Sequence, residues 1–124
     1  MSRFQLRFLG VGNAAATSLG SASVVVERDG LPILMVDCGQ EAFTAWQEHY
    51  GGVPPAVFVT HAHMDHVAGF ERLFVANYFG TAPAGRTRLY LPANLVPLLQ
   101  ERVAGYPNVV AEGSANFWDA FQLI

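Results

Sequence analysis

The chain has 124 residues, of which 52% are hydrophobic and only 14% are charged, and its formal net charge is −3. This length allows one domain at most, and the small negative charge, with basic residues that are not clustered, excludes a broad affinity for polyanions such as DNA. No apolar run approaches the ~18 residues of a membrane-spanning helix, and the single cysteine, Cys38, excludes an internal disulfide.

Hydrophobic periodicity predicts alternating strands and helices. Strict alternation of apolar and polar residues is typical of strands, whereas apolar residues three and four apart indicate helices. In chain order the prediction is strands at Gln5 to Leu9, Ser23 to Glu27 and Ile33 to Val36, a helix at Glu41 to Tyr50, a strand at Ala56 to Thr60, a helix at Val67 to Phe79, a strand at Thr87 to Leu91, a helix at Ala93 to Val103 and one or two terminal strands.

The six residues after the fourth predicted strand carry four side chains that can bind a metal ion: His61, His63, Asp65 and His66. Imidazole nitrogen with carboxylate oxygen is the ligand mix that suits zinc, manganese or iron in hydrolytic sites. In an extended segment residues i and i+2 project to one side, so His61 and His63 are expected to hold one cation between them.

Asp65 and His66 are expected at the mouth of the helix that is predicted to begin at Val67. There they would face a second cation, and the helix amino terminus would favour an anionic substrate group. The simpler alternative for Asp65 is a helix N-cap, and for a lone histidine a surface position. These alternatives account for His49, which is isolated, but not for four such residues together.

The hexapeptide resembles the His-x-His-x-Asp-His signature of the metallo-β-lactamase-fold hydrolases. The segments Phe8 to Gly12 and Val36 to Gly39 resemble the first strand and turn, and the first motif, of the ribonuclease Z-like branch. The resemblance implies that His61 and His63 serve one metal, and that Asp65 and His66 serve the other. It further implies that Asp37 orients the metal-binding loop without binding metal, and that Asp65 moves a proton during catalysis.

Residues expected later in such a site are missing from this sequence. The family completes its site with two further histidines and a metal-bridging aspartate, but no histidine follows His66 and the only later aspartate is Asp119. Met64 also stands where ribonuclease Z usually has glycine. The resemblance covers roughly residues 4 to 80, and its motifs specify the superfamily more than a substrate.

We therefore expect a mixed α/β fold, the amino-terminal half of a four-layer αββα metallo-β-lactamase fold, with residues 1–124 forming a single half-domain truncated at the carboxyl end. The family needs roughly twice this length, and the alternating segment from Ala115 to Ile124 stops without a turn signal. A half-domain would expose alternate residues of the second, third and fourth strands. That exposure would favour a homo-oligomer, or a carboxyl-terminal half that stands in for the missing sheet.

The expected function is that of a metal-dependent hydrolase, similar to ribonuclease Z and related phosphodiesterases, in which one or two divalent cations, zinc foremost, activate water. Its substrate would be a small-molecule or nucleotide phosphodiester. The alternative is a catalytically incomplete metal-binding half-domain that acts through self-association or a partner chain. We expect a cytoplasmic protein, since one cysteine fits a reducing compartment, and we expect Cys38 to pack beneath the site without a chemical role.

Overall fold

The computed structural model describes residues 2–11, 22–60, 63–78, 87–101, 109–110, 113–114, 118 and 121–124. Its main element is a six-stranded sheet in the order β1-β2-β3-β4-β5-β8, and a two-stranded sheet joins β6 to β7. The strands are β1 (Phe4–Gly10), β2 (Ser23–Arg28), β3 (Leu31–Val36), β4 (Ala56–Phe58), β5 (Thr87–Tyr90), β6 (Val109–Val110), β7 (Gly113–Ser114) and β8 (Phe121–Leu123).

The helices are α1 (Gln40–His49), α2 (Met64–Val67), α3 (Phe70–Tyr78) and α4 (Val96–Leu99), and a 3₁₀ turn at Ala93–Leu95 precedes α4. Strands β1 to β3 pair antiparallel, whereas β3, β4, β5 and β8 run parallel. The parallel pairs follow from the connections, because α1 lies between β3 and β4, and α2 and α3 lie between β4 and β5. This arrangement confirms the predicted mixed α/β class.

The core lies on the face of the sheet that the helices cover. Strand register places Val25, Met35, Val57 and Leu89 in one row across four strands, and all four side chains are fully buried. Bulky residues of the helices belong to the same hydrophobic cluster, namely Phe43, Trp46, Phe70, Leu73 and Phe74. Truncating one of these aromatic residues to alanine typically costs about 3–5 kcal/mol, so this layer supplies much of the stability.

The opposite face of the sheet is also apolar, but its side chains are far more exposed. The next row in register is Phe8, Val24, Val36, Phe58 and Tyr90. Phe8 is 67% exposed and Phe58 39%, and Phe4 and Leu6 of β1 are exposed by 61% and 64%. The alternating burial along β2 and the exposure of Phe58 in β4 agree with the expected exposure of one sheet face. The most exposed side chains belong to β1, which that expectation did not include.

One carboxylate is buried on the helix-covered side. Glu27 of β2 accepts hydrogen bonds from the Tyr50 hydroxyl and, at 3.0 Å, from the Arg7 guanidinium. These two bonds, that of Tyr50 first, hold the pKa of Glu27 below its ordinary value. Burial, together with the same hydrogen bond, raises the pKa of Tyr50 to about 12. An ionised carboxylate therefore ties β1, β2 and the end of α1 together.

Two predicted helices differ from the structure. The helix expected to begin at Val67 begins instead at Met64, stops after one turn, and resumes as α3 at Phe70. The helix expected from Ala93 to Val103 is a 3₁₀ turn followed by the four residues of α4. The predicted last residues of the two helices, Phe79 and Val103, lie outside the described residues. In the expected terminal strand, only Phe121–Leu123 is extended among the described residues. None of the described helices is long and apolar enough to cross a membrane.

Candidate functional site

The candidate site lies at the carboxyl ends of β3 and β4. Val36 and Phe58 pair in register at these ends, so the chain leaves both strands side by side. Asp37 directly follows the first strand, and Thr60 and the histidine-rich segment follow the second. Ligand sites of parallel α/β sheets lie at this edge, because the loops that follow neighbouring strands meet there.

Asp37 joins the two loops through its carboxylate, which is buried. Oδ1 accepts a hydrogen bond from the backbone N–H of Thr60 at 2.8 Å. Oδ2 accepts from the Thr60 hydroxyl and from Nδ1 of His66, both at 2.6 Å. The carboxylate thus accepts three hydrogen bonds from within the protein, and these bonds fix the positions of Thr60 and His66 relative to Asp37. These contacts favour the orienting role that the resemblance implied for Asp37.

His66 presents a defined nitrogen to the site. Because Nδ1 lies 2.6 Å from a carboxylate oxygen that can only accept, Nδ1 carries the proton and Nε2 is the nitrogen suited to bind a cation. A metal-binding histidine usually donates its other ring N–H to a carboxylate, which sets the tautomer and the ring orientation. The chemistry of this donor pair therefore fits a divalent cation such as zinc.

Backbone hydrogen bonds hold the same two loops together. The N–H of Asp37 donates to the Phe58 carbonyl at 2.8 Å, and the N–H of Cys38 donates to the His66 carbonyl at 2.7 Å. Further along, the N–H of Gly69 donates to the Cys38 carbonyl at 2.9 Å. The position of His66 is thus set by main-chain contacts to the loop after β3 as well as by the carboxylate of Asp37.

Gly69 allows this close approach. A Cβ atom at Gly69 would lie 2.5 Å from the Gly39 carbonyl oxygen and 2.9 Å from that of Cys38. Both contacts are with backbone, which cannot rotate away as a side chain can. The chain turns at residues 68–69, between α2 and α3, and the backbone of the loop after β3 lies against this turn.

That division changes the expected surroundings of Asp65 and His66. Both residues lie within α2, a single helical turn, and not ahead of a long helix. A four-residue helix sums too few peptide dipoles to attract an anion, and α3 begins only at Phe70. The expected anion-binding helix terminus therefore has no support from the structure.

Cys38 packs beneath the site, as expected. Its side chain is fully buried, and burial raises the pKa of the thiol far above its ordinary value. A protonated, inaccessible thiol is neither a nucleophile nor a ready metal ligand.

The structure brings together only some of the residues predicted for the site. Asp37 and His66 are in direct contact, and His63 is exposed just before α2. His61 and the side chain of Asp65 lie outside the part of the chain that the structure describes. Within the described part, no three His, Cys, Asp or Glu side chains are close enough to hold a cation. The complete four-residue ligand set therefore stays a prediction.

Sequence reasoning did not single out Thr60 or Gly69. Thr60 donates two hydrogen bonds to Asp37, and a signal for it existed, because a hydroxyl side chain stands between the apolar strand and the first histidine. Gly69 carries no comparable signal. A lone glycine within an apolar helical pattern is ordinary, and only the folded chain shows what lies against it.

Comparison with known proteins identifies the family. The family model described as "Anti-Pycsar protein Apyc1" matches residues 4–124, which is nearly the whole chain. The chain belongs to the Apyc1 family. The Apyc1 protein of Saccharibacillus brassicae is 37% identical over 123 residues, covering 95% of this chain and 48% of that protein. The Apyc1 protein of a Paenibacillus species is 33% identical, over 82% of this chain and 41% of that protein.

A zinc phosphodiesterase also matches this Apyc1-family chain. Human zinc phosphodiesterase ELAC protein 2 is 30% identical over 90 residues, which are 66% of this chain and 11% of that protein. This chain thus spans about half the length of its Apyc1 relatives and a small part of the human protein.

Solved structures confirm the fold of this Apyc1-family member. The metallo-β-lactamase fold protein YhfI of Bacillus subtilis superimposes with a TM-score of 0.69 at 17% identity, over 98% of this chain and 44% of its own. A diphosphatase of the PhnP family superimposes with a TM-score of 0.68 at 19% identity, over 98% of this chain and 51% of its own. The short form of human tRNase Z superimposes with a TM-score of 0.59 at 24% identity, over 82% of this chain and 39% of its own. The metallo-β-lactamase fold predicted from the hexapeptide is confirmed, whereas the ribonuclease Z-like branch stays a prediction.

Proposed function

We propose that this chain carries part of the active site of a metal-dependent phosphodiesterase. The observation that carries the proposal is the 2.6 Å contact between Nδ1 of His66 and the buried carboxylate of Asp37, because it prepares Nε2 as a metal ligand. The match to a zinc phosphodiesterase supports zinc and a phosphodiester substrate. The Apyc1 relatives of this chain are named anti-Pycsar proteins, and as part of the proposal we extend the anti-Pycsar role to this chain.

The histidine-rich segment would divide its ligands between two cations. His61 and His63 would hold one, and Asp65 and His66 the other, with Thr60 and Asp37 keeping the segment in place. A bound divalent cation supplies positive charge for the reacting phosphate and lowers the pKa of a coordinated water toward about 7. Asp65 would accept and return the proton of that water. Manganese and iron suit the same ligands and are alternatives to zinc.

Metal content tests the proposal directly. We expect zinc to bind the wild-type chain, and His61→Ala combined with His63→Ala to lose most of that binding, because the first pair of ligands is removed. The matched control is His49→Ala, since His49 is exposed on α1 and outside the hexapeptide. Elemental analysis after dialysis, followed by titration calorimetry with zinc, gives the measurement. Equal metal content in the wild type and the double variant would refute the assignment.

Hydrolysis of an activated phosphodiester, bis(4-nitrophenyl) phosphate, tests the reaction class. We expect poor turnover or none by the 124-residue chain, because no histidine and only one aspartate follow His66, so that too few ligands hold two cations. Fast turnover that survives Asp65→Ala would contradict both the incomplete site and the role of Asp65.

A second candidate function is supported by the exposed apolar face of the sheet. The exposure of Phe4, Leu6 and Phe8 favours a metal-binding chain that acts chiefly by association, either with a second copy or with a partner that provides an apolar sheet. The two functions differ in one measurement: catalysis requires turnover that depends on metal, whereas association alone predicts a complex without turnover.

A further inference from the structure

Ser23 is the first residue of β2, and its hydroxyl touches the loop of the candidate site. The side chain is buried, and its single hydroxyl proton is shared between the Val36 carbonyl, 2.9 Å from Oγ, and the Asp37 carbonyl, 3.0 Å from Oγ. Ser23 lies on a strand that is antiparallel to β3, so its position at the start of β2 brings it to the end of β3. It therefore stands at the same sheet edge as Asp37 and His66, although it contributes no metal-binding atom.

The two accepting carbonyls show how the chain turns at this point. Successive carbonyls of a regular strand point in opposite directions, so one hydroxyl cannot reach both. Here both point to Ser23 because Asp37 has a φ of +61°, in the left-handed region. Backbone pairing between β2 and β3 ends at Val24 and Val36. The Ser23 side chain thus takes over where the backbone ladder stops.

Asp37 needs such support. Aspartate adopts the left-handed region more readily than most residues other than glycine, but this conformation still costs free energy, which the surrounding contacts offset. The N–H of Asp37 is held by the Phe58 carbonyl at 2.8 Å, and its carbonyl is held by Ser23. With its amide and its carbonyl both fixed, Asp37 has little freedom to rotate, and its carboxylate stays directed at Thr60 and His66.

We propose that Ser23 is a positioning residue of the metal centre, acting through the backbone of Asp37 on the ring of His66. This inference rests on the proposed metal-binding function for its effect on zinc, but not for its effect on His66. Removing the hydroxyl takes away the one donor that the Val36 and Asp37 carbonyls share, and the left-handed turn relaxes. The carboxylate then moves away from Nδ1, and the imidazole loses its fixed orientation.

The experiment compares Ser23→Ala with a matched variant at the other end of the sheet. Thr87 is also buried, and its hydroxyl donates to the Pro54 carbonyl at 2.7 Å, at the amino end of β5. Thr87→Val therefore removes an equivalent hydroxyl far from Asp37. Ser23→Thr restores a hydroxyl at the first position and serves as the rescue variant.

The first measurement needs no metal. In ¹⁵N-histidine NMR spectra at low temperature, the Nδ1 proton of His66 should be seen downfield in the wild type, Thr87→Val and Ser23→Thr, and lost in Ser23→Ala. The second measurement is titration with zinc chloride, where Ser23→Ala should raise the dissociation constant for zinc about tenfold. This is the lower end of the effect expected when a residue that supports a metal ligand is removed.

Each outcome decides one question. An unchanged Nδ1 proton and unchanged zinc affinity in Ser23→Ala would overturn the inference, as would equal losses in Ser23→Ala and Thr87→Val, which would indicate general loosening. If the wild type binds no zinc, the proposed function fails, and the Nδ1 proton alone still decides whether Ser23 positions His66. If Ser23→Ala does not fold, recovery of both signals in Ser23→Thr supports the inference, and their loss in that folded variant refutes it.

Discussion

Gly69→Ala is expected to separate the two loops that form the candidate site. The new Cβ would lie 2.5 Å from the Gly39 carbonyl oxygen, 2.9 Å from the Cys38 carbonyl oxygen and 3.0 Å from the Cys38 sulfur. Gly69 does not have a positive φ, so alanine is compatible with the local backbone and the clash is the only obstacle. Relief of the clash requires the start of α3 to move away from the loop after β3.

The magnitude follows from three contributions. Overpacking of a buried site costs about 1–3 kcal/mol. Loss of the Gly69 hydrogen bond to the Cys38 carbonyl adds about 1 kcal/mol. Replacing glycine by alanine restricts the unfolded chain and returns up to about 1 kcal/mol. The net expectation is a destabilisation of about 1–3 kcal/mol. At an unobstructed site the same substitution would stabilise the protein, so the sign of the change is diagnostic.

Urea unfolding gives the change in free energy, and hydrogen exchange locates it. In Gly69→Ala we expect faster exchange at the amides of Gly69 and Cys38, which donate across the two loops, and unchanged exchange along β2. The control is Gly30→Ala. Gly30 has a φ of +84°, and no atom beyond its chain neighbours lies within 4 Å of the point that its Cβ would occupy, so alanine there strains the turn before β3 without a clash. A Gly69→Ala protein as stable as the wild type, with those amides still protected, would refute the reasoning.

Three further perturbations test other parts of the structure. Asp37→Asn should weaken zinc binding about 10–100-fold in titration calorimetry, because an amide cannot accept all three hydrogen bonds of the carboxylate; unchanged affinity would contradict the orienting role. Because the pKa of Glu27 is lowered, its contribution to stability is complete above the ordinary value of 4.5 and is lost as the pH falls through the lower folded-state pKa. Tyr50→Phe should therefore reduce the fall of the melting temperature at acid pH. An unchanged fall would disprove the link between the Tyr50 hydroxyl and the pKa of Glu27. Covering about 400 Å² of the exposed sheet face would contribute on the order of 10 kcal/mol before association costs, so we expect a dimer at micromolar concentration in sedimentation equilibrium. Phe8→Asp should dissociate this dimer, whereas Val75→Asp on the helical side should not. A stable wild-type monomer would argue against association through this face.

Local patterns in the sequence predicted most of the secondary structure. Short apolar runs marked β2 and β3, and apolar spacing marked α1, because each pattern reflects how the element meets the core. The same reasoning placed the helix start at Val67, which is wrong, because the first helical turn begins at Met64. It also missed the break at residues 68–69, where Gly69 lies against carbonyls of a segment thirty residues earlier in the chain. Periodicity is a local property, and it cannot register an obstacle that only folding brings near.

The metallo-β-lactamase fold was readable from the sequence, because metal chemistry needs particular side chains at short spacing, and the predicted ligands His61, His63, Asp65 and His66 lie within six residues. Contacts between distant segments were not readable. Only the tertiary structure brings Asp37 against His66, twenty-nine positions away, and places the Ser23 hydroxyl over the turn that aims the carboxylate. Strand order and register decide these contacts, and they arise from packing across the whole sheet, which no short stretch of residues encodes.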